Sequence, residues 1–138
     1  MPKVLIADKL SPAAVAIFQE RGVEADVKTG LPKEELIKII GNYDGVAIRS
    51  ATKLTADVLK AAKNLKVIGR AGIGVDNVDI PAATAAGIIV MNTPFGNSIT
   101  TAEHAISLML ALARELPAAN ASTQAGKWEK NRFMGVEI

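Results

Sequence analysis

Lys66-Val67-Ile68-Gly69-Arg70-Ala71-Gly72-Ile73-Gly74-Val75-Asp76-Asn77-Val78-Asp79 is the stretch from which the fold can be read. It begins with a short apolar run, Val67-Ile68, passes Arg70, and crosses Gly72-Ile73-Gly74 before turning polar at Asp76 and Asn77. A buried strand emptying into a glycine-rich turn has this pattern. Successive backbone N–H groups in such a turn can converge on an anion, because glycine permits positive φ angles and a close approach that a side chain would block. The segment therefore predicts a place for a small acidic ligand.

Upstream, Val4-Leu5-Ile6-Ala7 is a continuous apolar run that Asp8 ends, as in a strand covered on both faces. Ser11-Pro12 supplies an N-cap and a proline in the first turn, and Ala14, Val15, Ile17 and Phe18 line a helix that stops at Gly22. Val23 to Val27 alternates as a half-exposed strand near a sheet edge. Gly30-Leu31-Pro32 then leads into a helix with Leu36, Ile37, Ile39 and Ile40 inward and Gly41 at its close. Gly45 to Ile48 reads as the third strand, delivering Arg49-Ser50-Ala51-Thr52 to its carboxyl end. Thr55 is placed to cap a third helix to about Ala62, and Leu65 to Ile68 reads as the fourth strand. Asp79-Ile80-Pro81 opens another helix, Ala82 to Ala86, and Ile88 to Met91 follows as the fifth strand.

Strands alternating with helices predict an α/β fold with a parallel sheet and right-handed crossovers. Ligands in such sheets bind beyond the carboxyl ends of the strands. That rule selects Arg49, Ser50, Arg70 to Gly74 and the loop Asn92 to Asn97. Beyond it, Ser98 or Thr100 can cap a helix to about Leu116 whose apolar residues cover nearly the whole circumference. Such a helix is expected to be buried on several sides. The tail to Ile138 holds a second helical piece to about Ala125, the only Trp, and no further βα unit.

With 138 residues there is room for one domain of ordinary size. The net charge of +2, with both signs interspersed, leaves no footprint for nucleic acid. There is no cysteine, so disulfides and thiolate metal sites drop out, and one histidine cannot make a zinc site. The N-terminal apolar run is too short for a signal-peptide core, and Ala105 to Ala113 is about half of the roughly 20 residues a membrane helix needs. A soluble cytoplasmic protein without membrane segments is expected.

Ile48-Arg49-Ser50-Ala51-Thr52, Gly69 to Asp79, Met91-Asn92-Thr93-Pro94, Gly96-Asn97, Ala102-Glu103 and Gly126-Lys127-Trp128 occur together in an order and spacing that resembles the D-isomer-specific 2-hydroxyacid dehydrogenases. The resemblance spans essentially all of the chain. It implies a flavodoxin-like or Rossmann-like parallel-sheet substrate-binding domain over residues 1–97. A long interdomain helix and the start of a truncated NAD-binding domain would follow over 98–138. It implies NAD as the cofactor of the intact enzyme and a small anionic substrate of the 3-phosphoglycerate kind. Arg49, Ser50 and Arg70 match substrate-side residues, and Gly72, Ile73 and Gly74 match the turn whose amides hold the substrate carboxylate. Ile73 also stands where the family approaches the nicotinamide, Asn97 matches a hinge asparagine near the substrate, and Lys130 lies in a region that can approach a neighbouring subunit's site. Ile73 and Phe95 depart from residues found in some relatives. The family's cofactor loop and its catalytic Arg, Glu and His are expected beyond Ile138, so this chain alone is expected to be inactive.

Gly72-x-Gly74 is not a pyrophosphate loop, because position 77 is Asn where a third Gly is wanted and no acid follows about 20 residues on. Arg49 alone would read as a solvated charge, but Arg70 at the next strand end makes a pair able to hold a phosphate or carboxylate. His104, inside the apolar helix, reads as a packed or interface residue rather than a general base. A second reading is a binding or homo-oligomerisation module acting through the Ala102–Leu116 helix. A third, a receiver-like fold suggested by Asp8, lacks the acidic cluster and lysine such a site needs.

Overall fold

The computed structural model describes all residues, Met1–Ile138. They form two compact units, Met1–Gly96 and Asn97–Ile138.

The first unit carries β1 (Lys3–Ile6), α1 (Pro12–Glu20), β2 (Glu24–Val27), α2 (Lys33–Ile39), β3 (Gly45–Ile48), α3 (Ala56–Ala61), β4 (Val67–Arg70), α4 (Ile80–Ala85) and β5 (Ile89–Asn92). All five strands are parallel, in the order β2-β1-β3-β4-β5. Right-handed crossovers with this order place α1 on one face and α2, α3 and α4 on the other. Consistently, α2 packs on α3 and α3 on α4. The core lies under those three helices. Leu5, Ile48 and Ile68 come from the strands, Leu36, Val58 and Ala83 from the helices, and Ile40 and Leu54 from the connections. The apolar runs were legible because both faces of a parallel strand are covered. At the edge the cover thins, and Ile89 and Met91 of β5 are exposed.

Several boundaries differ from expectation. The second helix stops at Ile39 and tightens into a 3₁₀ turn, Ile40–Asn42. The fourth strand begins at Val67 and runs on through Gly69 and Arg70, which pair with Met91 and Asn92 of β5. Thr55 sits at the N-cap of α3, but its hydroxyl makes no cap bond and is buried without a partner. The approach to α3 is fixed instead by a bridge in which Leu54 N–H donates to Asn77 O (2.9 Å) and Asp79 N–H donates to Leu54 O (2.9 Å). Asp79 caps α4 as its type predicts, its carboxylate accepting from Ala82 N–H at 3.0 Å.

The second unit holds α5 (Ser98–Ala113) and α6 (Leu116–Gln124). Asn97 occupies the N-cap of α5 without a side-chain bond, so neither Ser98 nor Thr100 plays that role. The helix ends at Ala113 because Glu115 turns left-handed (φ 51°), and Leu116 opens α6 instead of closing α5. α6 packs against α5, yet no residue of α5 is buried, contrary to the burial on several sides that its apolar circumference predicts. The tail returns to the end of α5, where Val136 N–H donates to Ala113 O at 2.8 Å. Gly135 permits this return with φ 60°, and a Cβ there would run into Ala113 O. Gly135→Ala is therefore expected to free the tail at a local cost of about 2 kcal/mol. Hydrogen exchange checks it: the Val136 amide should lose its protection while β1 and β3 keep theirs.

Candidate functional site

Strand register sets the site. Ile48 pairs with Arg70, and Arg70 with Asn92, so β3, β4 and β5 end in one row. The direction of the chain reverses between β1 and β3, where an open α/β sheet ordinarily leaves its ligand crevice. Here that crevice is filled from within. Asp8, buried just past β1, accepts from Arg49 N–H (2.6 Å), from Thr52 N–H (3.1 and 3.2 Å) and from the Thr52 hydroxyl (2.7 Å). Burial pushes the Asp8 carboxyl up, but the Thr52 hydroxyl and the Arg49 and Thr52 amides outweigh it and hold the carboxyl below its ordinary value. With its oxygens committed to donors, Asp8 does not act as a receiver-type acid. No group of three or more His, Cys, Asp or Glu residues is placed to hold a metal.

One strand further along, Asn77 occupies the centre. Its Nδ2 donates to Arg49 O (2.7 Å) and Thr52 O (2.6 Å), and its Oδ1 accepts from Arg70 Nε (2.8 Å). The Arg70 side chain is only 11% exposed, and its Nη2 lies 3.8 Å from Asp76, a carboxylate 86% exposed. At that distance and exposure the ion pair is weak, so Asn77 is the firmer hold.

The glycine turn wraps this guanidinium. Neither Gly72 nor Gly74 has a positive φ, which corrects the expectation that left-handed backbone shapes the turn. What both positions require is space: a Cβ on Gly72 would run into Arg70 Nη1, and one on Gly74 would lie 2.9 Å from Asp76 Oδ1. The Gly72 amide is not free for a ligand either, since it donates to Arg70 O at 2.9 Å. Thr93 N–H donates to Gly72 O (3.0 Å) and Asn92 Nδ2 donates to Ile73 O (2.7 Å). In a planar trans peptide the N–H points opposite to the C=O, so the Ile73 and Gly74 amides face away from Asn92-Thr93. Neither has a partner within the chain. Two adjacent free N–H groups beside a seated guanidinium suit a carboxylate or phosphate oxygen.

Of the residues singled out from sequence, Arg49, Ser50, Arg70, Gly72, Ile73 and Gly74 come together on the first unit. The two arginines are unlike: the Arg49 side chain is exposed and in no ion pair, whereas Arg70 is nearly enclosed. Asn97 and the exposed Lys130 belong to the second unit, as does His104, exposed on α5. Asn92 belongs to the loop that the strand-end rule selects, whereas Asp8 and Asn77 are parts of the site that the sequence reading does not include. The available signal was a polar residue directly after a strand or turn whose neighbours offered it no local partner. For a dinucleotide the residues do not fit, since no third glycine follows Gly74 to approach a pyrophosphate and Asn77 is already spent. No helix is long and apolar enough to cross a membrane.

Residues 4–131 match the family described as D-isomer specific 2-hydroxyacid dehydrogenase, catalytic domain. The chain is 54% identical over 136 residues to a D-3-phosphoglycerate dehydrogenase of Archaeoglobus fulgidus, covering 99% of this chain and 26% of that protein. It thus spans about a quarter of the length of the curated relatives it matches. Among solved structures, a Thermus thermophilus protein superposes with a TM-score of 0.82 at 34% identity, over 99% of this chain and 45% of that one. The NAD+-bound 3-phosphoglycerate dehydrogenase of Entamoeba histolytica gives a TM-score of 0.71 at 33% identity, over 82% and 39%.

Proposed function

Because the chain belongs to the D-isomer specific 2-hydroxyacid dehydrogenase family, we propose that it is the substrate-holding portion of an NAD-dependent D-3-phosphoglycerate dehydrogenase. That enzyme oxidises 3-phosphoglycerate to 3-phosphohydroxypyruvate on the way to serine. The observation that carries the reading is the pair of unpartnered amides at Ile73 and Gly74 beside Arg70. The substrate carboxylate accepts from these two N–H groups, and Arg49 and Ser50 receive the other anionic end. Ile73, 42% exposed, offers its side chain to the nicotinamide. Residues 1–97 form the substrate-binding part, and residues 98–138 open the nucleotide-binding part, with Asn97 at the hinge and Lys130 reaching a neighbouring subunit.

These residues bind and orient; they do not by themselves move the C2 hydroxyl proton. The only histidine is on α5, and these residues offer no cradle for NAD, the oxidant of the proposed reaction. A preparation of these 138 residues is therefore expected to reduce no NAD with 3-phosphoglycerate, and measurable reduction would overturn this. Titrating the isotopically labelled chain with D-3-phosphoglycerate tests the binding role. Saturable shifts are expected at the Ile73 and Gly74 amides and at Arg49-Ser50, and their absence at millimolar ligand counts against it.

A second reading, association of copies through the Ala102–Leu116 segment, is favoured by one feature: no residue of α5 is buried, although Ile106, Leu108, Met109, Leu110 and Leu112 lie along it. Sedimentation as a strict monomer at micromolar concentration would remove it.

A further inference from the structure

We propose that Asn77 is a positioning residue that ties the two arginine-bearing strand ends into one preorganised anion platform. The proposal rests on the substrate-holding role above and names what holds that site in shape.

A side-chain amide has two donor hydrogens on its nitrogen and an acceptor oxygen. Both donors of Asn77 go to the Arg49–Thr52 loop, and its oxygen takes Arg70 Nε. Asn77 is 9% exposed, and its own carbonyl accepts from Leu54 N–H. Its side-chain nitrogen and oxygen are both engaged within the chain, so the contribution of that side chain passes through its neighbours.

The loop is gripped from two sides. Asp8 accepts the Arg49 and Thr52 N–H groups while Asn77 donates to the carbonyls of the same two residues. With its backbone saturated, Arg49 keeps only its side chain free. On the other side, the bond at Nε leaves the two terminal nitrogens of Arg70 unclaimed by Asn77 while fixing the plane that contains them. Nη1 then lies where Gly72 lacks a Cβ, adjoining the free Ile73 and Gly74 amides. Without Asn77 the partner left to Arg70 is the exposed Asp76 carboxylate, 3.8 Å from Nη2, too weak a contact to fix the plane of the guanidinium. Preorganised donors and charge are worth most when they need not move to meet the ligand.

The test uses the ¹⁵N-labelled 138-residue chain and two variants. In the wild type, the Arg70 Nε–H signal should be resolved and slow to exchange with water. In Asn77→Ala that signal should exchange at least about tenfold faster, and the affinity for 3-phosphoglycerate should fall about tenfold, with the core amide pattern unchanged. Asn77→Asp keeps an acceptor for Arg70 but has no donor for the loop. It should retain the Arg70 signal, shift the amides of Arg49 to Lys53, and still bind more weakly. Should Asn77→Ala fail to fold, Asn77→Asp decides alone. A folded variant that binds 3-phosphoglycerate as tightly as the wild type, or an Arg70 signal indifferent to Asn77→Ala, overturns the proposal. A wild-type chain that ignores 3-phosphoglycerate, yet shows a protected Arg70 signal lost in Asn77→Ala, overturns the substrate reading and leaves the clamp standing.

Discussion

Asp8→Asn is expected to cost the sheet unit about 3 kcal/mol of stability at neutral pH. The substitution keeps the volume and removes the charge, so the cost comes from hydrogen bonds rather than from a cavity. Asp8 accepts from three donors, the Arg49 amide, the Thr52 amide and the Thr52 hydroxyl, at 2.6 to 3.2 Å. An asparagine oxygen accepts fewer and weaker bonds, and its NH₂ group would face donors that cannot receive it. Urea unfolding of the two chains checks the figure, and a difference below about 1 kcal/mol would show that the crevice between β1 and β3 is held by packing alone.

The acid dependence of that difference follows from the sign of the Asp8 shift. Its folded pKa lies below the ordinary carboxyl value that it regains on unfolding. The ionised form therefore adds stability that is complete above the ordinary range and is lost as the pH falls through the depressed folded value. Once the wild-type carboxyl is protonated, the charge that distinguished it from asparagine is gone. The stability gap between wild type and Asp8→Asn should narrow on acidification, and a gap that stays constant would contradict the assignment.

The legible part of this fold was the part written in short-range pattern. Four apolar runs and one alternating stretch, Val23 to Val27, separated by helices announce a parallel sheet, because its inner strands must be covered on both sides and each crossover needs a helix. The strand ends were harder. Gly69 and Arg70 resemble the start of a turn, and only their pairing with Met91 and Asn92 keeps them in β4. The site divides in the same way. Arg49, Arg70 and the two glycines stand out by type and position. Asp8 and Asn77 do not, because their partners lie far off in the chain, 41 residues away for Asp8 with Arg49 and 28 for Asn77 with Arg49. In the sequence Asn77 is a polar residue past the glycine turn, standing where a dinucleotide loop would need glycine, and neither feature points to the partners it holds. The unlike settings of the two arginines were equally hidden, since burial of one guanidinium depends on the path of the turn around it.

Gly72→Ala is expected to separate binding from folding. Its backbone angles are open to any residue, so the added methyl strains nothing in the main chain. The obstacle is Arg70 Nη1, which occupies the space a Cβ would take. The end of an arginine side chain can move, so the chain should still fold, at a stability cost of about 2 kcal/mol for the Arg70 contact it gives up. Movement of Nη1 is nevertheless coupled to Nε, which Asn77 holds at 2.8 Å. Accommodating the methyl thus breaks that bond and removes the positive charge from beside the Ile73 and Gly74 amides. Losing a charge-assisted contact of this kind should weaken 3-phosphoglycerate binding about thirtyfold. Gly69→Ala provides the control, because nothing lies within 4 Å of a Cβ there. If Gly72→Ala folds normally and binds as tightly as Gly69→Ala, the two amides suffice without Arg70, and the enclosed guanidinium is a structural feature of the turn rather than part of its affinity for anions.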